Sequence, residues 1–352
     1  VADWNDKADR KGTTRAFEFA LFGMALAWAV CANHVAGSAA AGIAGRFRWT
    51  YGQGLLQGVF FLFLATVGFR VVDRLDARGR KRPAVLALPC RKTSVLEWGT
   101  SAAIGWGLCL TTLLPALLSG HYHTVLNGGP GAVPAFAIAI LTLLVATLAD
   151  EAVFRGYPFA RLERAIGPSL AALTMSLLFS AVLTLANPPR SLWTGLFNGA
   201  LLGLLLAMAY LRTHALWVGW GLHFSYRAVM ALVLGLPFAG RRELGSLMDG
   251  SLSGPSWLSG GTFGLGATLF TAIVFLAGVP VLYQATRDWA WAYTVPDLVP
   301  AGYEVTVAPP AAHVAMEKAV APPPLVQILT ATPQGFSAPA NSDPPPRPDA
   351  LG

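Results

Sequence analysis

Asp150 and Glu151 stand side by side, and Arg155 follows four residues after the second acid, all at the end of an apolar run that carries no charge. On a helix, Glu151 and Arg155 share a face with the acid N-terminal, the favourable order for such a pair. Asp150 lies about 100° around the same helix. One carboxylate can therefore be clamped while its neighbour stays open to act as a base. A second pair with the same spacing, His223 and Arg227, occupies one face of HALWVGWGLHFSYRAVMALVLGL. His223 can donate there to a developing oxyanion or ligate a metal through neutral imidazole, and Arg227 adds a charged donor. A charge at mid-bilayer costs roughly 2.5–3.5 kcal/mol on insertion scales. Both pairs together therefore ask for a shared polar cavity.

The elements that must position these residues are membrane helices. Charged residues make up 12% of the 352 and apolar residues 54%, with mean hydropathy +0.53. That balance predicts an all-α polytopic membrane protein, with about eight transmembrane helices around an intramembrane cavity. The expected spans lie near 16–37, 52–72, 98–119, 132–150, 168–187, 191–211, 214–235 and 264–284. The net charge of +7 comes from residues clustered beside these runs, so the partner it implies is the lipid bilayer and no nucleic acid. Basic residues concentrate in the N-terminal segment (Lys7, Arg10, Lys11, Arg15), in the loop after the second span, and after the fourth span (Arg155, Arg161, Arg164). Positive-inside then puts both termini in the cytoplasm, and the membrane is expected to be a bacterial inner membrane. The polar leader VADWNDKADRKGTTR is too long for a signal n-region, so the first run reads as a retained anchor. Three regions follow: a two-helix membrane region with a basic loop (1–94), a core (95–285), and a proline-rich tail expected to be disordered (286–352).

Other polar residues carry weaker signals. Gly195, Gly199 and Gly203 recur every four residues, which suits close helix packing. His121 and His123 flank Tyr122 with no acid or cysteine nearby, a poor metal signal. Cys31, Cys90 and Cys109 show no ligand spacing and receive no role. Ser180 and Ser225 lack an adjacent base, which argues against a serine nucleophile.

The order of DEAVFRGYPFARL, LLFSAVLTLANPP, GLFNGALLGLLLAMAYLRTHALW and GLHFSYRAVM resembles the CPBP family of membrane endopeptidases, the CAAX-protease and bacteriocin-processing type also called Abi. The resemblance covers roughly residues 95 to 285 and departs from the family pattern at three positions. Asp150 stands where the family has the glutamate taken as its water-activating base, Leu183 replaces a histidine, and Arg227 replaces an asparagine or aspartate. Glu151, Arg155 and His223 match.

The resemblance implies peptide-bond hydrolysis in a membrane-associated, in some members prenylated, substrate by carboxylate-activated water. Zinc is disfavoured, with Glu151 and His223 as weak candidates: a catalytic zinc site uses three protein ligands, only one histidine remains beside the two acids, and using Asp150, Glu151 and His223 together would leave no carboxylate free as the base. Two readings of the site stay open. In one, Asp150 or Glu151 is the base, steadied by Arg155, with His223 and Arg227 as oxyanion donors. In the other, Arg227 pairs with an acid and silences it, leaving a non-catalytic relative that binds membrane partners. A transporter is a third class, opposed by the absence of inverted repeats.

Overall fold

The computed structural model describes residues 2–76, 85–129, 131–189 and 191–294, without the side chains of 2–13, 50, 291, 292 and 294. Arg78, Arg80, Lys81, Arg82, Arg190 and the chain beyond 294 lie outside the described residues. The helices in chain order are α1 (Ala2–Phe47), α2 (Gln53–Arg74), α3 (Ser94–Leu118), α4 (Ala132–Phe154), α5 (Tyr157–Ile166), α6 (Pro168–Leu185), α7 (Leu192–Thr213), α8 (Leu216–Ala228), α9 (Ser256–Ser259), α10 (Leu269–Ala285) and α11 (Arg287–Thr294). A π-helical turn, Val229–Val233, continues α8 directly after Arg227.

The chain is an integral membrane protein. Among the described residues, six segments are long and apolar enough to cross a bilayer: Thr14–Phe47, Gln53–Arg74, Ser94–Leu118, Ala132–Ile166, Pro168–Leu185 and Leu192–Thr213. The last two expected spans correspond to α8 with its π turn and to α10, both shorter. Polarity runs inside out, as lipid requires. Val30, Phe63, Val133 and Trp193 are 65–79% exposed, while Arg155, Arg161 and Glu151 are at most 1% exposed.

Small residues let the helices approach one another. Gly105 on α3 abuts the backbone of Leu222 on α8, and Gly221 on α8 abuts Trp98 and Ser101 on α3, so an added Cβ at either would collide. The expected packing role of the α7 glycines holds: a Cβ at Gly199 would stand 2.6 Å from Ser180 Oγ, and one at Gly203 2.8 Å from Ser176 Cα, both on α6. The α2 glycines dock on α4, Gly54 beside Thr142 and Gly58 beside Val145. Numbers rise together along both helices, so α2 and α4 run parallel.

Two expectations are corrected, and two further features were not foreseen. Arg155 and Arg161 are not loop cations, because α4 continues to Phe154 and α5 follows after Gly156, burying both guanidiniums. The helices also carry buried charges that their apolar composition does not announce. Arg161 Nη1 meets Glu18 at 3.1 Å and Asp76 at 2.9 Å, and its Nη2 meets Asp73 at 2.6 Å, joining α1, α2 and α5. Glu97 on α3 is also fully buried. The segment expected to be a disordered tail begins instead with α11, where Tyr293 donates to Glu97 at 2.5 Å and Arg91 lies over its ring at 3.6 Å. The bundle also carries one antiparallel strand pair, Tyr122–Leu126 with Met248–Leu252, in the register Tyr122 to Leu252. Alternating β-formers in YHTVL suit it.

Candidate active site on α4 and α8

Helix α4 ends because Arg155 leaves helical geometry (φ −131°) and Gly156 follows. A side chain at Gly156 would strike the Ala152 carbonyl, so the sharp turn into α5 needs glycine there. The last turn of α4 thus presents Asp150 and Glu151 in two directions.

Glu151 faces inward. Arg155 Nη1 donates to its Oε1 at 3.3 Å, as the four-residue spacing predicts. His223 Nδ1 bonds the same oxygen at 2.9 Å, so the imidazole carries its proton on Nδ1 and donates. Arg155 Nη2 donates to the Gly203 carbonyl at 3.2 Å, and its guanidinium lies 4.5 Å from the Phe179 ring centroid. Phe179 meets His223 edge-on at 5.7 Å between ring centres. Four helices, α4, α6, α7 and α8, are tied together here. Glu151 Oε2 and His223 Nε2 are buried without a partner. Gly219 matters for that oxygen, since a Cβ there would come within 3.0 Å of Oε2.

Asp150 faces elsewhere, as its angle around the helix predicts. Its side chain is 37% exposed and lies 3.7 Å from Arg227 Nη1. Arg227 Nη2 donates to Glu243 at 2.7 Å, and the guanidinium sits 5.2 Å from the Phe238 ring centroid. Asp150, Arg227 and Glu243 line a cavity of about 210 Å³, together with Asn33, Gln57, Phe61, Thr142, Ala146, Ala149 and Arg241. The cavity extends from Asp150 toward the end of the bundle where α2 and α4 begin, since its other walls include Gly54, Gly58 and Leu143.

The five candidate residues therefore divide into two groups. Glu151, Arg155 and His223 form a closed knot. Asp150 and Arg227 share an open polar cavity, and His223 is not among the residues that line it. Arg227 contacts two different acids with its two terminal nitrogens and does not clamp one carboxylate with both. Leu183 lies on a small cavity of about 20 Å³ with Asn198, Tyr226 and Phe238, whose ring also borders Arg227. Thr184, next to it, keeps a buried hydroxyl without a partner.

Sequence reasoning missed Glu243, Asn33 and Gln57. Nothing in the spacing of Glu243 relative to Arg227 marks it, because it arrives from a loop beyond the π turn. The two amides interrupt apolar helices, which was a readable signal.

The donor set does not fit a catalytic zinc. Glu151 and His223 bond each other through Oε1 and Nδ1, which leaves only Oε2 and Nε2 open, and Asp150 points away, so fewer than the three protein ligands of a catalytic zinc are gathered. Among the described residues no three His, Cys, Asp or Glu side chains are grouped to hold a metal ion. His121 instead bonds Ser119 at 2.9 Å.

Residues 131–229 match the family described as Rce1-like, type II CAAX prenyl endopeptidase. No curated protein and no solved structure matches the chain. The matched stretch contains Asp150, Glu151, Arg155, His223 and Arg227. Through that stretch, with its acid pair, its arginine and the histidine four residues before Arg227, the chain is similar to the CAAX-type membrane endopeptidases.

Proposed function

We propose that the protein is an intramembrane endopeptidase that hydrolyses peptide bonds of membrane-associated, in one class prenylated, substrates, with Asp150 as the base that activates water. The observation that carries this reading is the division of the adjacent acids. Glu151 is enclosed, whereas Asp150 borders a cavity of about 210 Å³, large enough to hold several waters. Water held by Asp150 would lose its proton to Oδ as it attacks the scissile carbonyl. Arg227, beside that carboxylate, is placed to donate to the oxyanion that develops. Glu151, Arg155 and His223 fix the end of α4 and so the direction of Asp150. They act by positioning rather than by touching substrate.

The segments 1–94, 95–285 and 286–352 serve in this reading as membrane hairpin, catalytic core and tail. Basic residues of the leader and of the loop after α2 favour a bacterial plasma membrane with both termini cytoplasmic. Under that orientation the Asp150 cavity extends toward the non-cytoplasmic face.

Two observations favour a second reading. Arg227 lies within 3.7 Å of Asp150, and Leu183 stands where the family has a histidine. A non-catalytic relative that binds membrane peptides would look the same. Purified protein in lipid, incubated with a panel of lipidated and transmembrane peptides, separates the two. The endopeptidase reading expects cleavage that Asp150→Asn abolishes. Absence of cleavage by the wild-type protein across the panel, with cleavage appearing in the Leu183→His, Arg227→Asn double variant, establishes the non-catalytic relative.

A further inference from the structure

Asn33 and Gln57 lie on the α1–α2 hairpin, outside the stretch 131–229 that carries the family match, yet both line the cavity of Asp150 and Arg227. Gln57 Nε2 donates to Asn33 Oδ1 at 3.4 Å, and neither side chain makes another hydrogen bond among the described residues. That long contact uses one amide hydrogen and one lone pair. Gln57 Oε1, the second Gln57 hydrogen and the Asn33 amide group remain for a ligand.

Helix-to-helix adhesion is the ordinary role of amides in membrane segments. Here the hairpin is held by stronger contacts. Trp28 Nε1 donates to the Leu64 carbonyl at 2.8 Å, and Arg161 ties Glu18 of α1 to Asp73 of α2. Adhesion alone leaves unexplained why both amides border the cavity. The hairpin is also held at a set distance from α4. A Cβ at Gly54 would stand 3.0 Å from Thr142 Cγ2, and one at Gly58 3.2 Å from Val145 Cγ1. The amides therefore belong to a fixed wall.

The cavity chemistry selects the ligand. Asp150 and Glu243 balance Arg227 and Arg241, so no net charge attracts an ion. A carboxamide pair offers a donor and an acceptor together, the complement of a peptide group. Phe61, Leu143 and Ala146 supply apolar wall for side chains. We propose that Asn33 and Gln57 bind the main chain of an extended polypeptide substrate, a peptide carbonyl accepting from Asn33 Nδ2 and a peptide N–H donating to Gln57 Oε1. This rests on the endopeptidase reading and makes the N-terminal hairpin part of the substrate site.

The test uses the full chain in lipid nanodiscs with Phe61 replaced by the photoreactive p-benzoylphenylalanine. The probe is a biotinylated pool of random decapeptides. Illumination is expected to give a protein–peptide adduct that falls about tenfold in Asn33→Leu and in Gln57→Met, the change one neutral hydrogen bond carries. Thermal unfolding is expected to stay unchanged in both variants. Unlabelled decapeptides should compete for the adduct, whereas the same pool methylated on every backbone nitrogen should not. This competition needs no variant, so a folding defect cannot obscure it. Equal competition by the methylated pool, undiminished adduct in both variants, or no adduct at all overturns the proposal. Cleavage of the pool is scored in parallel. Adduct that obeys these rules without cleavage leaves the main-chain site standing and removes the endopeptidase reading. Cleavage that depends on Asp150 but not on Asn33 or Gln57 does the reverse.

Discussion

Arg161 and Arg227 are both arginines set among carboxylates inside an apolar bundle, and they are enclosed to different degrees. Arg161 is completely buried, meets Glu18, Asp73 and Asp76 at 2.6–3.1 Å, and accepts no solvent. Arg227 is 16% exposed, holds Glu243 at 2.7 Å, and leaves Asp150 at 3.7 Å on a cavity wall. A closed ion cluster spends its hydrogen-bonding capacity on itself and works as a staple between helices. An open one keeps capacity for a ligand. Charge inside a membrane segment is a starting hypothesis for function, and the completeness of its pairing decides between the two roles.

Breaking the closed side should cost the most. Arg161→Leu removes the common partner of three carboxylates, and loss of one member of a buried pair costs about 3–5 kcal/mol. The expected outcome is loss of folded protein, read by detergent-solubilised yield and thermal unfolding. Arg155→Met should fall just below, about 3 kcal/mol, because Glu151 keeps its bond from His223. Wild-type stability in either variant would erase the distinction drawn between enclosed and open arginines.

Leu183→His sharpens the contrast further. The substitution puts a polar ring on the small cavity lined by Asn198 and Tyr226, away from Asp150. It should destabilise by about 1–2 kcal/mol and leave cleavage unchanged, since burying a polar group without a set partner costs about that much. On the open side, Arg227→Gln should shift stability by less than ~1 kcal/mol, as partly exposed pairs contribute little, while cleavage falls at least about a hundredfold through loss of an oxyanion donor.

The smallest effect is expected at Tyr293. Burial, and then its bond to the Glu97 carboxylate, hold the Tyr293 hydroxyl above its ordinary pKa of 10.0. A raised folded-state pKa gives stability that is full below the unfolded value and lost as pH rises through the folded one. Protection of α11 from limited proteolysis should therefore weaken above pH 10. Tyr293→Phe should remove that pH dependence.

Much of the architecture was legible from local pattern. Apolar runs located every long helix, and the four-residue spacing of Glu151 and Arg155 gave their contact, because a helix fixes that geometry by itself. The angle between Asp150 and Glu151 likewise foretold their divergence. What stayed hidden depends on chain-distant meetings. Arg161 finds its three acids 85 to 143 residues away, and no periodicity encodes such a pairing. Arg155 and Arg161 looked like loop cations, since only the turn at Gly156 sends α5 back into the bundle. Glu243 comes from a loop whose path follows the π turn. Asn33 and Gln57 were visible as amides in apolar helices, but their common cavity required the packing of α2 on α4.

The central claim is that two adjacent carboxylates have separate duties, Asp150 in chemistry and Glu151 in support. The direct measurement is cleavage rate and melting temperature for Asp150→Asn and Glu151→Gln, side by side in the same lipid. The account predicts that Asp150→Asn abolishes cleavage with an unchanged melting temperature, and that Glu151→Gln melts several degrees lower while retaining measurable cleavage. Full cleavage by Asp150→Asn, or a dead but fully stable Glu151→Gln, contradicts it.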